Sequence, residues 1–249
     1  MKLSDCVGNT PLIPIRFGGY TVWGKCEFMN PGGSVKDRMA TYIINNAEQN
    51  GLIKKGDTLI EATSGNTGIA FAMLSELEGY FNCNQFHNKL NIEVHYKTTG
   101  PEIWKEFQRN HKYNDCGWMQ AFVAGTGTGG TIMGAGKYLS EQCPGMETIA
   151  VEPEESAVMS GGKPGLHGIQ GIGDGSKFLV DLKKISKVKT VKTECAKAVA
   201  KYLAQRYGLF VGISAGANVF AAFQYLHDNN KKTAITILCD RGERYLSCL

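Results

Sequence analysis

The sequence predicts an α/β protein of two domains, with mostly parallel sheets covered by helices. Three observations lead there. Apolar runs of strand length end in Gly-rich turns. Those turns open directly onto runs with helical spacing. The strand–loop–helix unit then recurs along the chain, which is the grammar of a parallel sheet. In such sheets ligands gather at the carboxyl ends of strands, where the Gly-rich loops fall.

In chain order, Asn30-Pro31-Gly32-Gly33 is a turn signal. Ser34 is placed to cap a helix beginning at Val35, with Asp37 at the third helical position in a capping-box-like arrangement. Asp57–Ala62 reads as a strand, Thr63–Gly68 as a polar Gly loop and Ile69–Leu77 as a helix. The unit repeats as strand Ala121–Ala124, loop Gly125–Gly130, helix Thr131–Gln142 and strand Thr148–Glu152. A helix covers about Glu194–Tyr207 and stops at Gly208. The last unit runs from strand Leu209–Gly212 through loop Ser214–Gly216 to a helix near Asn218–His227, then strand Ala234–Cys239.

The chain has 249 residues, 43% hydrophobic and 20% charged, with net charge +4. These are ordinary values for a globular protein with a sizeable core. No dense Lys/Arg cluster sits beside an aromatic stripe, so nucleic acid is not an expected partner. No apolar run is long enough to span a bilayer, and Met1–Asp5 lacks an apolar signal core, so a cytoplasmic location is expected. The eight cysteines are scattered without a C-x-x-C pair and the five histidines lack H-E-x-x-H spacing, so reduced thiols and no metal are expected.

Four segments carry candidate chemistry. Lys36 falls in the first turn of its helix, where the positive end of the macrodipole disfavours a cation. Partial burial there would lower its pKa and free a nucleophilic amine; the plainer alternative is a surface lysine paired with a carboxylate. Gly125-Thr126-Gly127-Thr128-Gly129-Gly130, followed by Thr131, joins a strand to a helix start and suits a phosphate. It also satisfies G-x-G-x-x-G, with Glu152 ending the next strand, so a dinucleotide site competes. Thr63-Ser64-Gly65-Asn66-Thr67-Gly68 offers hydroxyls, an amide and backbone N–H groups that suit a carboxylate, or a plain capping turn. Ser214 either bonds a ring nitrogen or caps the helix that follows.

Together the motifs resemble the cysteine synthase/cystathionine β-synthase family of pyridoxal-phosphate (PLP) enzymes, of the tryptophan synthase β-like fold. The matching residues are Gly8-Asn9-Thr10-Pro11-Leu12, Asn30 through Arg38, Glu61 through Gly68, and Thr98-Thr99-Gly100-Pro101-Glu102-Ile103-Trp104. Gly125–Thr131, His167 with Ile169–Gly173, Gly212–Ala217 and Gly242–Ser247 complete the set, in order along nearly the whole chain. This favours PLP over a dinucleotide at the Gly125 loop.

The resemblance implies that Lys36 carries PLP as a Schiff base and later removes the substrate's α-proton. It implies that Asn66 bonds the ring hydroxyl, that Gly127, Thr128, Gly129, Gly130 and Thr131 hold the phosphate, and that Ser214 faces the pyridine nitrogen. A neutral hydroxyl there does not enforce a protonated ring, a weaker electron sink that favours elimination over transamination. Thr63, Ser64, Thr67 and Gln85 are implied to bind the substrate carboxylate. The implied reaction is β-replacement, making cysteine from O-acetylserine and sulfide. Cys239 through Tyr245 resembles the isozyme that accepts thiosulfate, whereas Gly161–Gly173 resembles the other isozyme, so the sulfur donor stays open. The alternatives are cystathionine β-synthase-like condensation of serine with a thiol, and a catalytically weak partner of serine acetyltransferase. A homodimer is the family's usual state.

The small domain is expected at residues 37–95, and the large one at 1–36 and 96–249. Relative to the family, on the order of 50 residues, two βα units, are missing between the helix after Asn66 and Gln85. The favoured reading is that the sequence joins the flanks of a longer mobile segment. One consecutive Cα pair between Leu74 and Phe81 would then stand much farther apart than the about 3.8 Å of a trans peptide. A true deletion would favour the binding-protein alternative.

Overall fold

The computed structural model describes residues 2–54, 57, 59–61, 63, 65–74, 81–110 and 119–248. A six-stranded sheet dominates. Its strands are β1 (Leu12–Phe17), β2 (Tyr20–Lys25), β5 (Ala121–Gly125), β6 (Glu147–Pro153), β7 (Lys187–Val191) and β8 (Thr233–Ile237), in the order β1-β2-β8-β5-β6-β7. Only the β1–β2 pair is antiparallel. Gly18 and Gly19, both at positive φ (55° and 82°), close that hairpin as a two-residue turn whose twist matches the strands. A second sheet pairs β3 (Leu59–Ile60) with β4 (Phe81–Asn82) in parallel.

The helices are α1 (Lys36–Gln49), α2 (Asn66–Leu74), α3 (Leu90–Val94), α4 (Gly100–Asn110), α5 (Gly130–Gln142), α6 (Thr193–Tyr207) and α7 (Ile213–Asp228). A π-helical turn, His95–Thr99, joins α3 to α4. The strand period of two divides the core between the two faces of the large sheet. Phe122, Ala124, Ile235 and Ile237 pack with Ile103, Phe107, Ile132 and Leu139 of α4 and α5. Ala121, Val123, Ile149 and Val151 pack with Ala217, Ala221 and Tyr225 of α7 on the other face. Burial on both faces is why these central strands read as unbroken apolar runs. A separate core joins Met39, Ile43 and Ala47 of α1 to Ala70 and Phe71 of α2, Cys83 and Val94.

Several expectations are corrected. Leu209–Gly212 forms no strand; it has one isolated bridge, Val211 to Arg241. Ser214–Gly216 is not a loop but the first turn of α7, whose N-cap is Gly212 without a side-chain cap. Ser214 therefore does not cap that helix. At α1 the N-cap is Val35, and Ser34 only receives the Lys36 N–H at 3.3 Å. Asp37 forms no capping box: its carboxylate accepts the Gly32 N–H at 2.5 Å and braces the preceding turn. α2 begins at Asn66, earlier than expected, and the expected helix end at Leu77 lies outside the described residues. So does the chain at 75–80, on which the expected Cα spacing falls. Among the described residues no helix is long and apolar enough to cross a membrane, and no group of three His, Cys, Asp or Glu is placed to hold a metal ion.

Candidate active site

β8 and β5 are neighbours although they are far apart in sequence, and their carboxyl ends open into a cleft. Lys36, Asn66, Gly125, Thr128, Ser214 and Asp240 help line it, around about 550 Å³ of space. The cleft widens to a mouth of about 1390 Å³, where Lys36, Asn66 and Thr128 meet Thr63, Thr67 and Gln85. The lysine, the Gly125 loop and the carboxylate-loop residues thus converge on one cavity. Ser64 lies outside the described residues.

Lys36 is half-buried at the first position of α1. Burial lowers its pKa, against the opposing pull of Cys239, Asp174 and Asp240. Among the described residues no hydrogen bond or ion pair engages its amine, which therefore has no partner fixing it in the charged form. Two residues on, Arg38 anchors the helix start. It reaches Glu27 at 2.6 and 2.8 Å and Glu102 at 2.8 and 2.7 Å, almost fully buried. Burial alone would raise the Glu27 pKa, but Arg38 and the Thr10 hydroxyl hold it at about 2. Lys25 adds a bridge to Glu102 at 2.9 Å.

The Gly125 loop is shaped by close approach. A Cβ on Gly127 would overlap the Gly171 carbonyl, one on Gly129 would meet Val180, and one on Gly130 would meet Asn91. Gly129 is the N-cap of α5 at φ 88° and provides no side-chain cap. Apart from the Gly130 N–H, which Thr128 Oγ1 accepts at 3.3 Å, the first turn of this 13-residue helix has no side-chain cap and suits an anion. Asn218 fixes the strand end, accepting the Gly125 N–H at 2.7 Å and donating to the Ile237 carbonyl at 2.9 Å. Thr131 contacts His95 Nε2 at 3.2 Å, and His95 Nδ1 contacts Thr99 at 2.8 Å. Burial, then Arg38, depresses the His95 pKa to about 3, so this ring is neutral.

On the opposite wall, Thr63 Oγ1 accepts the N–H groups of Gly65 and Gly68, both at 3.3 Å, which is capping geometry for α2. Thr67 donates to Gln85 Oε1 at 2.8 Å, with both residues buried. Asn66 donates to Asp240 Oδ2 at 2.6 Å, and Tyr245 donates to the same oxygen at 2.5 Å. Burial raises the Asp240 pKa. Ser214 is buried. The Cys239 thiol donates to the Ile237 carbonyl at 3.7 Å and receives Asn218 Nδ2 at 3.5 Å, and burial pushes it up to about 12 and keeps it neutral.

The residues not assigned from sequence are Asp240, Cys239, Asn218, Asn91 and His95. Asp240 and Cys239 sit just past the end of β8, a position that itself signals a ligand site. Asn91 and His95 reach the loop only through tertiary packing, for which no local pattern exists.

The profile of the pyridoxal-phosphate dependent enzymes matches residues 3–81 and 73–240. A cysteine synthase from Staphylococcus aureus (strain Mu50 / ATCC 700699) is 36% identical over 304 positions, covering 99% of this chain and 95% of the relative. Cysteine synthase B of Campylobacter jejuni is 36% identical over 300 positions, covering 99% and 97%. The crystal structure of O-acetyl serine sulfhydrylase isoform 3 from Entamoeba histolytica superposes with a TM-score of 0.88 at 30% identity, covering 99% of this chain and 90% of that one. The fold and the site define a cofactor-dependent α/β enzyme. The chain belongs to the pyridoxal-phosphate dependent enzyme family. The first alignment is about 55 positions longer than the chain, and the two profile matches overlap at residues 73–81, where the chain is short.

The residues present fit that cofactor. The uncapped start of α5, with glycines that admit no Cβ, suits a phosphate. A poorly solvated lysine shares its cavity, and the buried hydroxyl of Ser214 lies in the cleft wall.

Proposed function

We propose that the chain is a cysteine synthase, replacing the β-acetoxy group of O-acetylserine with sulfur. The observation that carries this reading is the convergence of Lys36, the uncapped α5 loop and the Thr63–Gln85 wall on one cavity. It agrees with the names borne by the 36% identical relatives. When bound, PLP supplies an electrophilic carbonyl and an electron-withdrawing ring. Gly127 through Thr131 would hold its phosphate, Asn66 its ring hydroxyl and Ser214 its ring nitrogen. Lys36, with its lowered pKa, is suited to take the proton from the substrate Cα and to return it. Thr63, Ser64, Thr67 and Gln85 would receive the substrate carboxylate. Ser214 offers a neutral hydroxyl rather than an ionised carboxylate at the cleft wall, which supports elimination chemistry over transamination.

We read residues 37–95 as the smaller, mobile unit, and a homodimer in the cytoplasm as the working state. The family resemblance and the free described cysteines support that reading. The sulfur donor is sulfide or thiosulfate. The purified enzyme, supplied with O-acetylserine or serine and with each donor in turn, tests the assignment. Cysteine formation from O-acetylserine supports it, and turnover of serine alone would overturn it. Normal cofactor binding without any turnover would instead favour a binding partner of serine acetyltransferase.

A further inference from the structure

Asn91 lies in α3, is 3% exposed, and stands between the two loops that form the cavity. Its Nδ2 donates to the Gln85 backbone carbonyl at 3.0 Å and to Thr128 Oγ1 at 3.0 Å. A backbone carbonyl only accepts, so the amide nitrogen, and not its oxygen, must face that way. The orientation of the side chain is thereby set by chemistry. Thr128 Oγ1 also receives the Gly130 N–H at 3.3 Å. A hydroxyl has two acceptor lone pairs and one hydrogen. Asn91 and Gly130 fill both lone pairs, so the Thr128 hydroxyl has only its hydrogen left to offer. Thr128 borders both the cleft and its mouth, and a phosphate there requires donors.

We propose that Asn91 is a positioning residue that sets the hydrogen-bond polarity of the phosphate loop, obliging Thr128 to donate into the cavity. The same amide holds Gln85, whose side chain receives Thr67 of the carboxylate loop. One buried side chain therefore ties the cofactor end of the cavity to the substrate end. Gly130 makes the arrangement possible, since any Cβ there would overlap the Asn91 side chain. The inference rests on reading residues 125–131 as the phosphate loop, and its test separates the two claims.

The full-length enzyme is resolved of cofactor and titrated with PLP, and the ³¹P resonance of the reloaded protein is recorded. Asn91→Ala is expected to weaken PLP about ten-fold, the equivalent of one hydrogen bond. It should shift the phosphorus resonance and raise KM for O-acetylserine more than it lowers kcat. Thr128→Val should weaken PLP similarly, and adding Asn91→Ala to it should cost nothing more, because both changes remove the same donor. Asn91→Asp fills the same space but presents oxygen to Thr128, so it should lose at least as much affinity as Asn91→Ala. It also serves where Asn91→Ala fails to fold. Multiplying effects in the double variant, or an Asn91→Asp enzyme with unchanged PLP affinity, would overturn the proposal and leave Asn91 a spacer. Unchanged affinity in Thr128→Val alone would overturn the phosphate-loop reading beneath it.

Discussion

Segments that follow the strands of the six-stranded sheet and of the β3–β4 ribbon line one cavity, yet the two sheets are built to different depths. β5 and β8 are buried on both faces between two helical layers. The ribbon has two residues in each strand, and Ile60 and Ile69 beside it are 48% and 43% exposed. The Gly125–Thr131 loop of the first region is braced by Asn218 and Asn91, and the helix start that carries Lys36 by the Arg38–Glu27–Glu102 network. Among the described residues, the Thr63–Gly68 loop of the second is held by Thr63, the Thr67–Gln85 bond and Asn66–Asp240. The difference teaches a division of labour. Under the proposed function, a prebuilt phosphate cradle would need no reorganisation, whereas a wall that receives and releases substrate would belong with the low-stability parts of a structure.

Hydrogen exchange offers the hardest test of that contrast. The β5 amides should exchange only through global opening and those of Leu59 and Ile60 through local opening, with free energies differing by on the order of 3–5 kcal/mol. Equal protection would remove the distinction. The next effect in size lies in the brace. Glu27→Gln leaves Arg38 buried with only part of its charge compensation, at a cost of about 3–5 kcal/mol in chemical denaturation. A cost below about 1 kcal/mol would place this network among ion pairs of little consequence.

The buried, neutral His95 sharpens the comparison through pH. Its folded pKa of about 3 lies below the ordinary value of 6.5. Its contribution to stability is complete above pH 6.5 and is lost as pH falls through the window toward 3, with a slope of up to about 1.4 kcal/mol per pH unit. Stability measured against pH in His95→Gln should lose that slope. The smallest effect on folding is expected on the ribbon side. Asn66→Ala removes one hydrogen bond while Asp240 keeps Tyr245, a cost of about 1 kcal/mol. Turnover should fall far more than stability, and full activity in the folded variant would count against the loop's role.

The large sheet was legible because its strands are apolar and its loops carry glycine. Ala121–Gly125 and Gly130–Gln142 lie within a residue of their expected places. The β1–β2 hairpin went unread although Gly18-Gly19 is a strong turn signal, because its strands mix Pro, Arg and Lys into the apolar alternation. Leu209–Gly212 misled for the opposite reason: it is apolar because Leu209 and Val211 pack in a core with Ile15, Leu203, Val219 and Leu238, not because it pairs in a sheet. Lys36, Asn66 and the Gly loops could be named from local pattern and resemblance. The brace behind them could not. Arg38 meets Glu102 across 64 positions of sequence and Asn91 meets Thr128 across 37, and no local spacing encodes such a meeting.

The central claim, that Lys36 carries the cofactor of a cysteine synthase, is tested most directly by visible absorption. The purified protein should be yellow, and its band should shift when O-acetylserine is added. Lys36→Ala, folded by circular dichroism, should lack the lysine-bound band and all turnover. A Lys36→Ala protein with an unchanged spectrum would contradict the assignment.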